Sequence, residues 1–414
     1  NWFFTPGLLA FSLADQSKSC WVSLGLAAAP GQYNFNDYEF QAGRFLGLSL
    51  SYFGKTTMKK EFETPRIVIH FGNTEMKVLE KYVGFLIKNR YVKKSSSPEF
   101  SWWRNPIFCG WGEQCYQADF YKLKGTKDIP NEWNPQQYAN QAFYEHMIGI
   151  LENNKIPFGS VIIDDKWQKQ RGLPEADKGK WPRLRDFVDR MHKRKKKVIL
   201  WWGLFTGEGV PGQLCMTKGD QKLCEDPSHP EFKKRLRLAV KKMLSSQPGC
   251  YNADGFKIDF TANIPSDYEA NRYGDAWGIE LLKQYLKEIY KTAKRYKKDA
   301  LIITHTANPY FMEVCDVIRL NDICEHYQSS IVSKMEFRAN MASLACPEKL
   351  IDCDNWPCPS REAWIEYIQK QPCLGIPSLY YATHIDASGE VISKKDYQLM
   401  AKLWKDYIKG KNSK

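Results

Sequence analysis

The sequence predicts an α/β protein, a (β/α)8 TIM barrel preceded by a partial antiparallel β-sandwich. Three observations carry this expectation. Residues 1–75 alternate apolar and polar positions in short runs broken by turn residues, the pattern of half-buried antiparallel strands. From about residue 100 onward, apolar runs of strand length alternate with amphipathic helical stretches, the pattern of βα units around a parallel sheet. Charged residues and tryptophans recur at the C-terminal ends of those runs, which is the face where such barrels carry out chemistry.

Composition sets the limits. The chain has 414 residues, 43% of them hydrophobic, 14% aromatic and 26% charged, which suits a globular protein with a large core. No apolar run approaches the ~20 residues that span a bilayer, so it reads as soluble and no membrane partner is expected. The net charge of +13 raises the question of a nucleic-acid surface. Its lysines, however, gather in runs such as Lys193 to Lys197 and Lys294 to Lys298, which close predicted helices where positive charge suits the carbonyl end. We read them as a solvated outer face and expect no nucleic-acid partner. The twelve cysteines are scattered, several inside apolar runs like those of Cys109 and Cys315, so buried thiols are the default. Cys215 with Cys224, and Cys353 with Cys358, are close enough to bridge across loops, yet lack the spacing of a zinc site. The chain starts at Asn1 without methionine, as a processed chain or a fragment would. That start suits a cytoplasmic protein as well as a secreted or periplasmic one whose signal has been removed.

In chain order, the sandwich strands are expected at 2–13, 20–26, 38–43, 46–53 and 65–71. A helix follows at 75–92, with Met76, Leu79, Val83 and Leu86 on one face, and then a polar linker at 93–98. This gives a partial sandwich over 1–75, a helical linker over 76–99, a catalytic barrel over 100–393 and a C-terminal helix over 394–414. The barrel strands are expected at 107–112, 160–167, 197–204, 255–260, 300–306, 316–322, 349–354 and 376–383. Helices are clearest at 135–153, 182–195, 230–246, 277–296 and 360–370, several with Pro in the first turn, and a last helix is expected at 394–409.

The run Asp254-Gly-Phe-Lys257-Ile-Asp259-Phe260 is the most telling strand. Lys257 and Asp259 sit two apart in an otherwise apolar strand and therefore share one face and one environment. A buried ion pair would explain them equally well, so the other strand ends must decide. Those ends carry Trp111 and Glu113, Asp164 and Asp165, Trp201, His305, Arg319 and Asp322, Asp352 and Asp354, and His384 with Asp386. Carboxylates accept hydroxyl protons, cations donate to oxygens and indoles stack on apolar sugar faces, so this inventory fits a carbohydrate partner. Asp259 and Asp322 are the pair chosen for two-carboxylate glycosidic chemistry, with Lys257 favouring the Asp259 anion. Histidines at metal-ligand spacing and a GxSxG elbow are both lacking, so no metal, no other cofactor and no serine nucleophile is expected.

The set Cys109-Gly-Trp-Gly112, Val161-Ile-Ile-Asp-Asp-Lys-Trp167, Gly255-Phe-Lys-Ile-Asp259 and Arg319-Leu-Asn-Asp322 resembles the retaining α-glycosidases of glycoside hydrolase clan D (families 27, 31 and 36). Family 36 α-galactosidases look closest. The resemblance covers residues 100–390 as the barrel and implies cleavage of terminal α-galactosides by double displacement. It further implies that Asp259 is the nucleophile and Asp322 the acid/base, and that Asp164, Asp165, Lys257 and Arg319 hold sugar hydroxyls. Trp111 would wall the pocket, with Trp201 also lining it. One departure is Lys166, where the family commonly carries Gly, so a cation stands at the pocket lip. Within the clan, an α-glucosidase or a transglycosidase is the alternative. A non-catalytic carbohydrate-binding barrel is the alternative of another class, since function belongs to sites and not to folds.

Overall fold

The structure is a computed structural model that describes residues 4–56, 60–93, 99–118, 135–265, 269–322 and 330–412. Its centre is a closed barrel of eight parallel strands. In order around the barrel these are β6 (Ile107–Cys109), β7 (Ser160–Ile163), β8 (Lys197–Gly203), β11 (Gly255–Asp259), β12 (Leu301–Thr304), β13 (Val317–Arg319), β14 (Leu350–Cys353) and β15 (Ile376–Leu379). The ring closes where β15 pairs with β6 through Ser378 opposite Ile107. Helices α2 (Trp111–Gln117), α3 (Gln141–Asn153), α4 (Leu184–Lys193), α5 (Pro230–Leu244), α6 (Gly278–Tyr296), α7 (Ile331–Ala345) and α8 (Arg361–Leu374) lie between the strands, a 3-10 helix (Pro309–Val314) joins β12 to β13, and α9 (Lys394–Asn412) follows.

The strands are nearly all apolar because both faces are covered, and the helices start where their caps dictate. Asn140 accepts from Phe143 N–H at 2.9 Å to open α3, and Ser360 accepts from Ala363 N–H at 3.2 Å to open α8. Every expected barrel strand is present, but each stops short of its expected C-terminal end. The reason lies in the backbone after the strands. Lys166, Phe205, Phe260 and Asn321 follow four of them in left-handed conformation, at φ 72, 54, 60 and 67°. For residues other than glycine this is a strained choice that ends the ladder and re-aims the side chains beside it.

Two antiparallel sheets precede the barrel. One has the order β1 (Ala10–Ala14), β2 (Trp21–Ala27), β5 (Arg66–Gly72), and the other is the hairpin β3 (Asp37–Ala42), β4 (Leu46–Ser51). Helix α1 (Glu75–Lys88) covers one face of the three-stranded sheet, with Ser23 Oγ donating to Val78 O and Tyr82 OH to Leu26 O. Phe11 of β1 stacks on Phe40 of β3 on the other face. These residues meet the barrel directly. Tyr33 stacks on Tyr310 with ring centres 3.9 Å apart, and Lys55 Nζ donates to Ala270 O at 2.7 Å.

Several features were not foreseen. A hairpin of β9 (Cys215–Lys218) and β10 (Gln221–Glu225) interrupts the unit after β8, and helix α7 follows β13. Cys215, Cys224, Cys353 and Cys358, close enough in sequence to bridge, are all free thiols. Among the described residues no helix is long and apolar enough to cross a membrane. The expected linker at 93–98 lies almost wholly outside the described residues.

Candidate active site

The two ends of β11 carry carboxylates with opposite duties. Asp254, just before it, accepts from Val198 N–H at 2.9 Å and meets His192 at 2.7 Å and Lys197 and Lys297 at 3.2 Å each. Burial disfavours its charge, but these partners win and lower its pKa to about 2. Asp316, before β13, repeats the device with Ile302 N–H, Tyr290 OH and Lys294. Both staple the N-terminal face, where barrels keep their stability residues.

Asp259 ends β11 on the opposite face. Register sets it opposite Gly203 and Lys257 opposite Trp201. A side chain at Gly203 would come within 2.6 Å of the Trp201 ring and 2.7 Å of Phe260, so glycine here leaves both rings room beside the carboxylate. Trp201 Nε1 donates to Asp259 Oδ2 at 3.2 Å, and Phe260 N–H donates to Oδ1 at 2.9 Å. Arg319 Nη1 stands 3.4 Å from Oδ2 and His305 Nδ1 stands 3.8 Å from Oδ1.

Arg319, at the end of β13, is the hub. Only 1% of its side chain is exposed, and one planar guanidinium faces three carboxylates. Nε donates to Asp354 Oδ2 at 2.7 Å, Nη2 to Asp322 Oδ1 at 2.5 Å, and Nη1 faces Asp259. A fork of fixed geometry can hold carboxylates in this way, whereas an ammonium cannot. Asp259 and Asp322 thus lie on neighbouring nitrogens of one group, yet 21% of the first and 39% of the second is open to solvent.

Their protonation diverges. Around the cations Arg319 and Lys257 stand Asp164, Asp259, Asp322, Asp352 and Asp354, and two positive charges cannot balance five negative ones in a buried site. Burial opposes charge on Asp259, but Arg319, Lys257 and the Phe260 N–H overcome it and hold its pKa well below the usual carboxylate range. Asp322 moves the other way, pushed up to about 6 by its partial burial and by the charges of Asp259 and Asp354, against the pull of Arg319. Burial and Asp354 push Asp352 up to about 7. One carboxylate is therefore poised as an anion and its neighbour as an acid, a division that marks acid/base pairs.

The other expected site residues are distributed around this pair. Lys257 Nζ donates to Asp164 Oδ2 at 2.7 Å, and Cys109 Sγ donates to the same oxygen at 3.0 Å. Asp165 turns away to a two-pronged pair with Arg171, at 3.0 and 2.6 Å, and to Gln136 at 2.7 Å. Among the described residues Asp164 keeps one lone-pair position on Oδ1, which also receives Asp165 N–H, and Asp165 keeps one on its own Oδ1, since a carboxylate has about four in all. Lys166 is not a free cation at the lip, because it pairs with Glu208. Trp111 opens α2 and packs edge-to-face on Trp356, centres 5.7 Å apart. Glu113 serves structure, receiving Ala382 N–H at 2.9 Å and Thr383 N–H at 2.8 Å and so tying α2 to the segment after β15.

Sequence reasoning passed over Arg338. It is buried on α7 and its Nη1 donates to the carbonyls of Leu320, Asn321 and Asp322 at 3.0, 3.0 and 2.8 Å, fixing the turn that carries Asp322. A signal existed, since Arg338 shares the buried face of its helix with Met335 and Ala342, where an arginine needs a reason.

No family model matches the sequence, and no curated protein matches it. Solved structures do match. A cycloalternan-degrading enzyme from Trueperella pyogenes aligns with TM-score 0.60 at 11% identity, covering 98% of this chain and 60% of its own. The α-galactosidase TtGalA from Thermus thermophilus, in complex with stachyose, aligns with TM-score 0.60 at 14% identity over 96% of this chain and 80% of its own. A GH31 family sulfoquinovosidase from E. rectale aligns with TM-score 0.62 at 12% identity over 94% of this chain and 57% of its own. The likeness is one of fold. The chain spans about 60% of the length of the first of these enzymes.

Proposed function

We propose that the protein is a retaining α-glycosidase that cleaves terminal α-galactosides by double displacement. The observation that carries this is the Arg319 fork, which holds two carboxylates past the ends of two barrel strands, one with its pKa depressed and the other with its pKa raised. Neighbouring nitrogens of one guanidinium hold the pair on a single fork, and a double displacement requires the two carboxyls ~5–5.5 Å apart where inversion requires ~6.5–9.5 Å. Glycosidases among the structural neighbours, one of them an α-galactosidase aligned over 80% of its length, support the reading.

In this reading Asp259, the anion, attacks the anomeric carbon, and Asp322 gives its proton to the departing oxygen. Forming the ester removes the Asp259 charge. That charge is one of those raising the Asp322 pKa, so its loss makes Asp322 a stronger acid and prepares it to leave its proton on the way to acting as base toward water. Arg319 stays bonded to Asp322 throughout and limits its travel. Asp164, Asp165 and Lys257 would meet sugar hydroxyls, Asp165 through the lone pair that Arg171 and Gln136 leave open.

The test is a panel of chromogenic α- and β-glycosides, with the product anomer followed by NMR. We expect α-galactosides to be cleaved with the α anomer released first, and Asp259→Ala to lose all cleavage until azide is added. Faster cleavage of α-glucosides than of α-galactosides replaces the sugar assignment, and a β anomer as first product overturns the mechanism.

A further inference from the structure

The amino-terminal segment reaches the candidate active site by a route that the proposed chemistry does not use. Ahead of β1 it lies over the ends of β11 and β12, where Thr5 N–H donates to His305 O at 3.1 Å and Asn308 Nδ2 donates to Gly7 O at 2.7 Å. Thr5 also meets Thr261, two residues past Asp259. The buried Thr261 Oγ1 donates to Thr5 O at 2.6 Å, lies 2.8 Å from Thr5 Oγ1 and lies 2.6 Å from His305 Nε2.

Hydrogen-bond bookkeeping fixes the protons. A hydroxyl has one proton to give and two lone pairs to fill. The Thr5 carbonyl can only accept, so it takes the Thr261 proton. The two lone pairs then receive protons from Thr5 Oγ1 and His305 Nε2, because a bare Nε2 so close to an oxygen with nothing left to give would be repelled. His305 therefore carries its proton on Nε2, and in the neutral ring Nδ1 is bare. That Nδ1 is buried, has no hydrogen-bond partner among the described residues and faces Asp259 Oδ1 at 3.8 Å. Burial keeps the ring neutral, lowering its pKa to about 4 although Asp259 favours the charged form.

We propose that the amino-terminal segment tunes the candidate nucleophile, because Thr5 and Thr261 fix the His305 tautomer that turns a bare nitrogen, and not a donor, toward Asp259. This rests on reading Asp259 as the nucleophile. A donor at Nδ1 would stabilise the carboxylate before attack and lose part of that interaction once the oxygen's charge goes into the new bond. A bare nitrogen gives the resting anion no such support, so less is lost on reaching the transition state. His305, Thr261 and Thr5 act as positioning residues, through Asp259 and not on the sugar.

Thr261→Val in the full chain tests this, since valine keeps the shape and frees Nε2. Long-range proton–nitrogen NMR at neutral pH, with His305→Gln assigning the signal, should show Nε2–H in the parent and a shift toward Nδ1–H in Thr261→Val. The glycosylation rate on an activated aryl α-galactoside should fall about ten-fold, the scale of one hydrogen bond to a charged group, with KM little changed. Thr261→Ser should restore both readouts. An Nδ1–H parent overturns the tuning even if it cleaves glycosides and so leaves the proposed function standing. A shifted tautomer with an unchanged glycosylation rate overturns it too. A parent that shows Nε2–H but cleaves no glycoside overturns the function and, with it, the tuning, while leaving the fixed imidazole in place. If Thr261→Val does not fold, the parent spectrum and Thr261→Ser decide.

Discussion

Replacing Asp354 by asparagine should move the alkaline limb of activity to lower pH. Asp354 touches no proposed reacting atom, yet it receives Arg319 Nε at 2.7 Å, and its charge is one of two carboxylate charges raising the Asp322 pKa. The amide of Asp354→Asn would still offer Arg319 an oxygen but no charge. Two effects then act in one direction, since the anionic neighbour is gone and Arg319 has more of its positive charge to share with Asp322. Asp322 stands at about 6, while an unperturbed Asp has a pKa of about 3.9. Burial, the first cause of that rise, and Asp259 both stay, so losing Asp354 should return at most about one unit of it, or ~1.4 kcal/mol. The sign follows from the role. Asp322 must hold a proton to donate it, so activity is present below its pKa and fades above, and a lower pKa brings the loss at lower pH. The assay is kcat/KM against pH for an α-galactoside with a poor leaving group, which reports the free enzyme's groups. We expect the limb to fall from near 6 by up to about one unit, with up to a roughly ten-fold loss at neutral pH. A limb that stays put, or moves upward, refutes the electrostatic account of Asp322.

Three further outcomes are expected. Asp322→Ala should slow substrates with poor leaving groups far more than activated aryl glycosides, which depart without a proton, and equal losses across the series would remove it as the acid. Arg338→Met should release the turn that carries Asp322 by stripping three carbonyls of their donor. Its cost to stability, about 1–3 kcal/mol or more in a melt, should come with a kcat loss that Arg338→Lys only partly repairs, and an unchanged kcat would leave Arg338 with packing alone. Asp254→Ala should destabilise the barrel by about 3–5 kcal/mol in denaturant titration, because it strands buried cations and the Val198 N–H. Since its folded pKa is depressed to about 2, this contribution is full above about 3.9 and fades as pH falls through about 2. Parent and variant should therefore converge in stability in strong acid, and a gap that is independent of pH would refute the ion-pair account.

The sequence by itself determined which segments become the barrel strands, because burial on both faces writes an apolar run and nothing outside the run is needed to read it. It also named most of the residues that the barrel gathers at one face, since Lys257 and Asp259 stand out from an apolar strand, as do Arg319 and the carboxylates after β7 and β14. It set the strand ends too late, as at 167 and 322, because a left-handed turn at Lys166 or Asn321 depends on packing that favours a strained backbone over its relaxed form. Nor could it separate Asp254 from Asp259, which flank one strand with the same chemistry. Only the tertiary structure set cations, a histidine and a backbone N–H around the first, and Trp201 and Arg319 beside the second. The same holds for the acid. Asp322 is a surface-type residue in sequence, and its raised pKa comes from burial together with two carboxylates that the barrel's closure brings near. Thr5 and Thr261, 256 residues apart, show why: periodicity reports which side of an element is buried, while protonation and hydrogen-bond partners depend on distances of a few ångströms that only the closed chain defines.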